Sequence, residues 1–170
     1  TSSLGYIAMA VSLPGYGKSS GPRDFSGPDS QQAVRDVIRN LGKRTDVADG
    51  KVALVGVSRG ANVAAKVAEQ VAGIAGVVLV SGFYDLGETY RRWKTDLEMP
   101  ETRALARAFE EESEMSHAGP VDIILRERSV LPDPQIRIPT LVLQGARDPL
   151  MNPLQAEELV GQLNKKGIEA

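Results

Sequence analysis

Residues Val52–Val57 read VALVGV, six apolar residues with no polar alternation, and the Ala- and Val-rich stretch Ala61–Ala72 begins four residues later. A strand wet on one face alternates apolar with polar side chains, so an uninterrupted apolar strand calls for burial on both faces, in a parallel sheet covered by helices. The same pairing of segments recurs. Tyr6–Ser12 is a short apolar run closing in Leu13-Pro14-Gly15, and Val77–Ser81 and Pro139–Gln144 are further apolar strands, the last entered through a proline where a ladder donor is dispensable. From Asp29 the residues Ala33, Val34, Val37, Ile38 and Leu41 recur at helical spacing, with Asp29 or Ser30 as N-cap and Gly42 as stop, and Pro153–Lys165 is a final helix. The order predicts an α/β fold, a mostly parallel sheet with helices on both faces.

Segment 86–138 breaks the alternation. It is charged, helix-prone over Thr102–Met115 and interrupted by Pro100, Gly119-Pro120, Pro132 and Pro134. It reads as a helical insertion over the strand ends, within a single domain spanning 1–170, and the acidic Glu110–Glu114 reads as a solvated helix face. With 42% apolar and 25% charged residues the chain is neither disordered, collagen-like nor a coiled coil. Its 20 basic against 22 acidic residues leave no basic footprint, so nucleic acid is not an expected partner. No apolar run approaches the ~18 residues that span a bilayer, so no membrane partner is expected. The absence of Cys and the presence of one His exclude thiolate chemistry and argue against an imidazole-built metal site, and a cysteine-free chain suits the cytoplasm.

The chemistry is carried by Gly56-Val57-Ser58-Arg59-Gly60, a G-x-S-x-G between strand and helix. In that context the serine sits on a sharp strand-to-helix turn with its hydroxyl above the sheet, small residues at 56 and 60 let strand and helix approach, and the Arg59 N–H faces a developing oxyanion. This geometry predicts that φ at Ser58 lies in a strained or left-handed region. A second match, Gly17-Lys18-Ser19-Ser20-Gly21, lies well past its strand and runs into Pro22, so it is set aside. The same Gly17-Lys18-Ser19 hints at a phosphate-binding loop, but Ser12 occupies the position of its first glycine and Pro22 follows too soon for the required helix. Asp148, in Gln144-Gly145-Ala146-Arg147-Asp148, stands in the loop after a strand, where ligand chemistry collects in parallel sheets. Alone, it reads as the cap of the next turn. In chain order after a strand-borne serine it reads as the acid of a catalytic triad.

Four stretches together resemble the α/β-hydrolase superfamily, in particular the prolyl oligopeptidase-like and dienelactone hydrolase-like serine hydrolases with their carboxylesterase relatives. They are Leu13-Pro14-Gly15-Tyr16-Gly17-Lys18-Ser19, Gly56–Gly60, Ser81-Gly82-Phe83-Tyr84-Asp85-Leu86, and Ile138–Gly145 with Asp148. Ser12 and Gln144 depart from the acid and the histidine that this family often carries at those places. The resemblance implies a serine hydrolase acting on the ester or amide bond of a small molecule or peptide, with Ser58 as nucleophile, Asp148 as triad acid, and no metal or cofactor. It also implies that segment 86–138 lines the substrate pocket. The only histidine, His117, falls before the last strand, out of order for the base. The resemblance therefore implies a base histidine beyond Ala170 and a second oxyanion loop before Tyr6, a chain truncated at both ends. Ser58 and Asp148 are then expected to open at the same ends of the strands. Tyr6–Ser12 is expected either to pair with Val52–Val57 or to stay detached with an exposed edge.

Overall fold

The computed structural model describes residues 5–48, 52–96, 98–115 and 119–170. Nine elements follow in the order α1 (Pro28–Leu41), β1 (Val52–Val57), α2 (Arg59–Ala68), β2 (Ile74–Val80), α3 (Leu86–Thr95), α4 (Pro100–Met115), α5 (Val121–Arg128), β3 (Thr140–Leu143) and α6 (Pro153–Lys165). The strands form one parallel sheet in the order β1-β2-β3, with Leu54 beside Val77 and Val77 beside Thr140. This is the expected α/β arrangement, and the segment read as an insertion over 86–138 carries the helices α3, α4 and α5 in its part up to Arg128.

One face of the sheet is covered. Ala61, Ala64, Ala65 and Ala68 of α2 and Leu159 and Leu163 of α6 bury Val77 and Leu79, and Leu54 and Val142 pack against the same cluster. Small alanines let α2 lie close to the strands, so the helix start that follows Ser58 is held by the core. Val34 and Ile38 of α1 extend the layer against Val63 and Val67. A second core lies under α3, α4 and α5, where Phe25, Phe83, Trp93 and Phe109 pack ring against ring with centroids 5.3–6.2 Å apart.

The expectation of helices on both faces is corrected. The register puts Val55, Val78 and Leu141 in one row and Val57, Val80 and Leu143 in the next, and among these Val55 is 70% and Leu141 53% exposed. Both rows belong to the opposite face, on which the described helices do not pack. The apolar pattern recorded the demand for two covers, since each such side chain gains roughly 1.5–3 kcal/mol on full burial, but it cannot say which segments supply them. Tyr6–Ser12 is likewise not a strand in the sheet: it is irregular and detached, with Tyr6, Ile7, Met9 and Val11 exposed. No helix among the described residues is long and apolar enough to cross a membrane.

The start of α1 also departs from the reading. Gly27 is the N-cap and Pro28 opens the helix, while the capping acceptor is Asp24, whose Oδ2 receives the N–H groups of Asp29 and Ser30 at 2.8 and 3.0 Å. A carboxylate arriving from the preceding loop satisfies the orphan donors at the helix start as well as a side chain at the cap itself would.

Candidate active site

Ser58 occupies the single residue between β1 and α2. Its N–H donates to Val80 O at 2.8 Å, which holds it in line with the sheet, and its carbonyl accepts from Ala61 at 2.9 Å, which starts the helix. Between those two demands the backbone takes φ 53°, ψ −119°, a positive φ in the strained region expected at this position. A non-glycine residue in such a region costs on the order of 1–3 kcal/mol and persists only where neighbours over-determine it. Ser58 is exposed, its hydroxyl makes no hydrogen bond among the described residues, and no acceptor there takes the Arg59 N–H.

Gly56 and Gly60 differ in what they contribute. A Cβ on Gly56 would lie 2.2 Å from Gly60 O and 2.6 Å from Ala61 Cα, so α2 crosses β1 closely enough to exclude any side chain. A Cβ on Gly60 would meet nothing within 4 Å. The reading that both glycines serve close packing therefore holds only for Gly56. Gly60 lies within α2 without a positive φ, so Gly60→Ala is expected to stabilise the fold by about 1 kcal/mol, seen as a higher denaturation midpoint.

Asp148 follows β3, and because all three strands are parallel it emerges at the same end of the sheet as Ser58. The Ser81 N–H continues the ladder to Leu143 O, as Ser58 does to Val80, so β1 and β3 end level and two strand spacings apart, about 9–10 Å. The carboxylate is fixed on both oxygens. Oδ1 accepts from the N–H groups of Leu150 and Met151 at 2.9 and 3.0 Å, and Oδ2 accepts from Gln144 Nε2 at 2.9 Å. The residue thus caps the turn that follows it while its Oδ2 carries one donor. Gln144 Oε1 is buried without a partner among the described residues. His117 lies outside the described residues.

Between the two loops stands the Ser81–Asp85 turn. Gln155 of α6 receives the N–H groups of Tyr84 and Asp85 on Oε1 at 2.7 and 2.9 Å, and Asp85 caps α3 by accepting from Glu88 N at 2.9 Å. Buried Asn62 donates to Phe83 O at 3.2 Å and to Arg128 O at 2.9 Å, tying α2 to the same turn and to the end of α5. Neither Gln155 nor Asn62 was legible as a site residue; the only trace in sequence is a polar residue inside an apolar helix face.

The acidic run of α4 corrects a second expectation. Glu111 and Glu114 are solvated as read, but Glu112 is buried and its Oε2 accepts from Arg59 Nη1 at 2.8 Å. Tyr16 joins the pair, donating from its hydroxyl to Glu112 Oε1 and accepting from Arg59 Nη1. Burial, and then the bond to the Glu112 carboxylate, push the Tyr16 phenol above its ordinary range, so it remains a neutral donor at neutral pH.

Known structures share this architecture. Puromycin hydrolase superposes with a TM-score of 0.63 at 22% identity over 83% of this chain and 20% of its own. The esterase Pf2001 of Pyrococcus furiosus does so with 0.63 at 22% identity over 92% of this chain and 55% of its own. The 2,6-dihydroxy-pseudo-oxynicotine hydrolase gives 0.58 at 21% over 82% and 37%. The chain thus spans a fifth to about half the length of these proteins. No curated protein matches it. The alpha/beta hydrolase family model matches residues 2–168, nearly the whole chain, and the chain belongs to that family.

Proposed function

We propose that this chain carries the nucleophile and the acid of a serine hydrolase that cleaves ester or amide bonds by acyl transfer. The observation that carries the reading is the positive φ of Ser58 at an exposed strand-to-helix turn, beside an Arg59 N–H that no described residue occupies. Such strain costs stability and is paid at sites where geometry matters to chemistry. In this mechanism a base removes the Ser58 proton as Oγ attacks the substrate carbonyl. The Arg59 N–H, at the positive end of α2, stabilises the oxyanion, and Asp148 orients the base and stabilises its cationic form. The base in this reading is a histidine, which is not among the described residues. The prolyl oligopeptidase-like resemblance, with puromycin hydrolase and the Pf2001 esterase among the similar structures, supports ester or amide carbonyls as the substrate class.

A fluorophosphonate probe tests this on the full-length natural protein. Oγ of Ser58 displaces fluoride from phosphorus as its proton passes to the base, and the adduct is expected on the peptide bearing Ser58, absent in Ser58→Ala. An unlabelled protein at neutral pH would count against a serine nucleophile. A second reading, a non-catalytic binding module, is favoured by the local engagement of both Asp148 oxygens. The same experiment decides between them.

A further inference from the structure

We propose that Glu112 is a positioning residue for the chemistry at Ser58, acting through the Arg59 side chain; the inference rests on Ser58 being the nucleophile. Arg59 is both the residue after Ser58 and the first residue of α2, so anything that fixes its side chain fixes the turn that presents the hydroxyl and the oxyanion donor. Two segments remote in sequence converge on that side chain. From α4, Glu112 takes Arg59 Nη1 at 2.8 Å. From the loop before α1, Tyr16 bonds to both, and the guanidinium carbon lies 4.1 Å from the Phe25 ring centroid and 5.3 Å from that of Tyr16. Phe25 itself holds φ 42° and is buried, so this loop is also held against its own preference.

Stability alone does not call for such a cluster. The Glu112 side chain is 6% exposed, and a buried ion pair is commonly matched or bettered by apolar residues of the same volume. What the pair supplies instead is direction. Each Glu112 oxygen has its own donor, Tyr16 on Oε1 and Arg59 on Oε2, so the carboxylate cannot rotate and the guanidinium is clamped between it and an aromatic face. Segment 86–138 is thereby joined to the nucleophile turn as one mechanical unit, and a shift of α4 is felt at the Arg59 N–H.

The test follows phosphonylation of Ser58 by the same probe in the full-length protein, separating the maximal rate kinact from the binding constant KI. Glu112→Gln is expected to lower kinact by about tenfold to a hundredfold, the penalty of a displacement approaching 1 Å, with KI within about twofold of the parent. Arg59→Met, which keeps the backbone N–H, is expected to lose as much, the double variant no more than Arg59→Met, and Glu112→Asp to recover part of the rate. A merely structural role would shift the melting midpoint without this split or this coupling. An unchanged kinact in folded Glu112→Gln, a raised KI in its place, or losses that multiply in the double variant would each overturn the proposal. Should Glu112→Gln fail to fold, Tyr16→Phe, which removes one donor, takes its place: a severalfold lower kinact at constant KI supports the proposal and an unchanged one overturns it. Labelling that survives Ser58→Ala removes both this proposal and the reading beneath it, whereas labelling lost in Ser58→Ala but normal in Glu112→Gln removes this one alone.

Discussion

Replacing Asp148 by Asn is expected to lower kcat of the full-length protein by about ten-thousandfold, and replacing Ser58 by Ala by about a millionfold, both with the fold retained. The two losses differ because the serine makes the covalent bond, whereas the acid holds the base in one tautomer and stabilises its charge. Asn is the informative change at 148. Its side-chain oxygen can still accept from the Leu150 and Met151 N–H groups, so the turn after β3 survives. Its amide nitrogen would then face Gln144 Nε2, donor against donor, but Gln144 has a buried Oε1 that no described residue partners and can answer by turning its amide over. The substitution therefore changes what the base sees and little else. Ester or amide turnover measured alongside thermal melting checks it. A folded Asp148→Asn protein within about tenfold of the parent rate would reduce Asp148 to the cap of its own turn.

The placement of Asp148 shows what the sequence made legible. An apolar run ending in a loop acid gave the strand, its direction and the end at which the acid emerges, because period and punctuation are local properties. The alternation of strands and helices and the strained turn at Ser58 follow in the same way: G-x-S-x-G has the right mechanics only between a buried strand and a helix. What was not legible depends on which segment lies across from which. Glu112 looked like any charge on an acidic helix, since its partner Arg59 stands 53 residues away and its burial comes from how α4 docks. Asp24 took the capping role from Asp29 and Ser30 because the loop before α1 turns back on the helix start. The uncovered face of the sheet belongs to the same class. Val55 and Leu141 are as apolar as Val77 and Leu79, and nothing local distinguishes the pair that α2 and α6 cover from the pair that they leave exposed.

The sharpest structural expectation concerns Gly56. Gly56→Ala should destabilise the chain by about 3 kcal/mol, near the upper end for overpacking, and lower the melting midpoint by about 10 °C in a domain of this size. The added methyl would stand 2.2 Å from Gly60 O and 2.6 Å from both Gly60 C and Ala61 Cα. All three are backbone atoms, so no rotamer change relieves the clash. The first turn of α2 would have to retreat by about 1 Å to restore ordinary contact. That retreat has two consequences, since Ala61 is fully buried in the core and Ser58 hangs on the same turn. Core packing suffers first, as the α2 alanines lift from Val77 and Leu79. Geometry suffers second: Ser58 N–H is pulled from Val80 O and the Arg59 N–H swings with the helix, so kcat should fall by about a hundredfold even in the fraction that stays folded. Gly60→Ala is the matched control, four residues on in the same motif with open space where the methyl goes, and its stability change should carry the opposite sign. Two glycines of one motif separating in sign would tie the close approach of β1 and α2 directly to the turn that carries Ser58, whereas a Gly56→Ala protein that melts and turns over like the parent would mean that helix and strand do not meet as described.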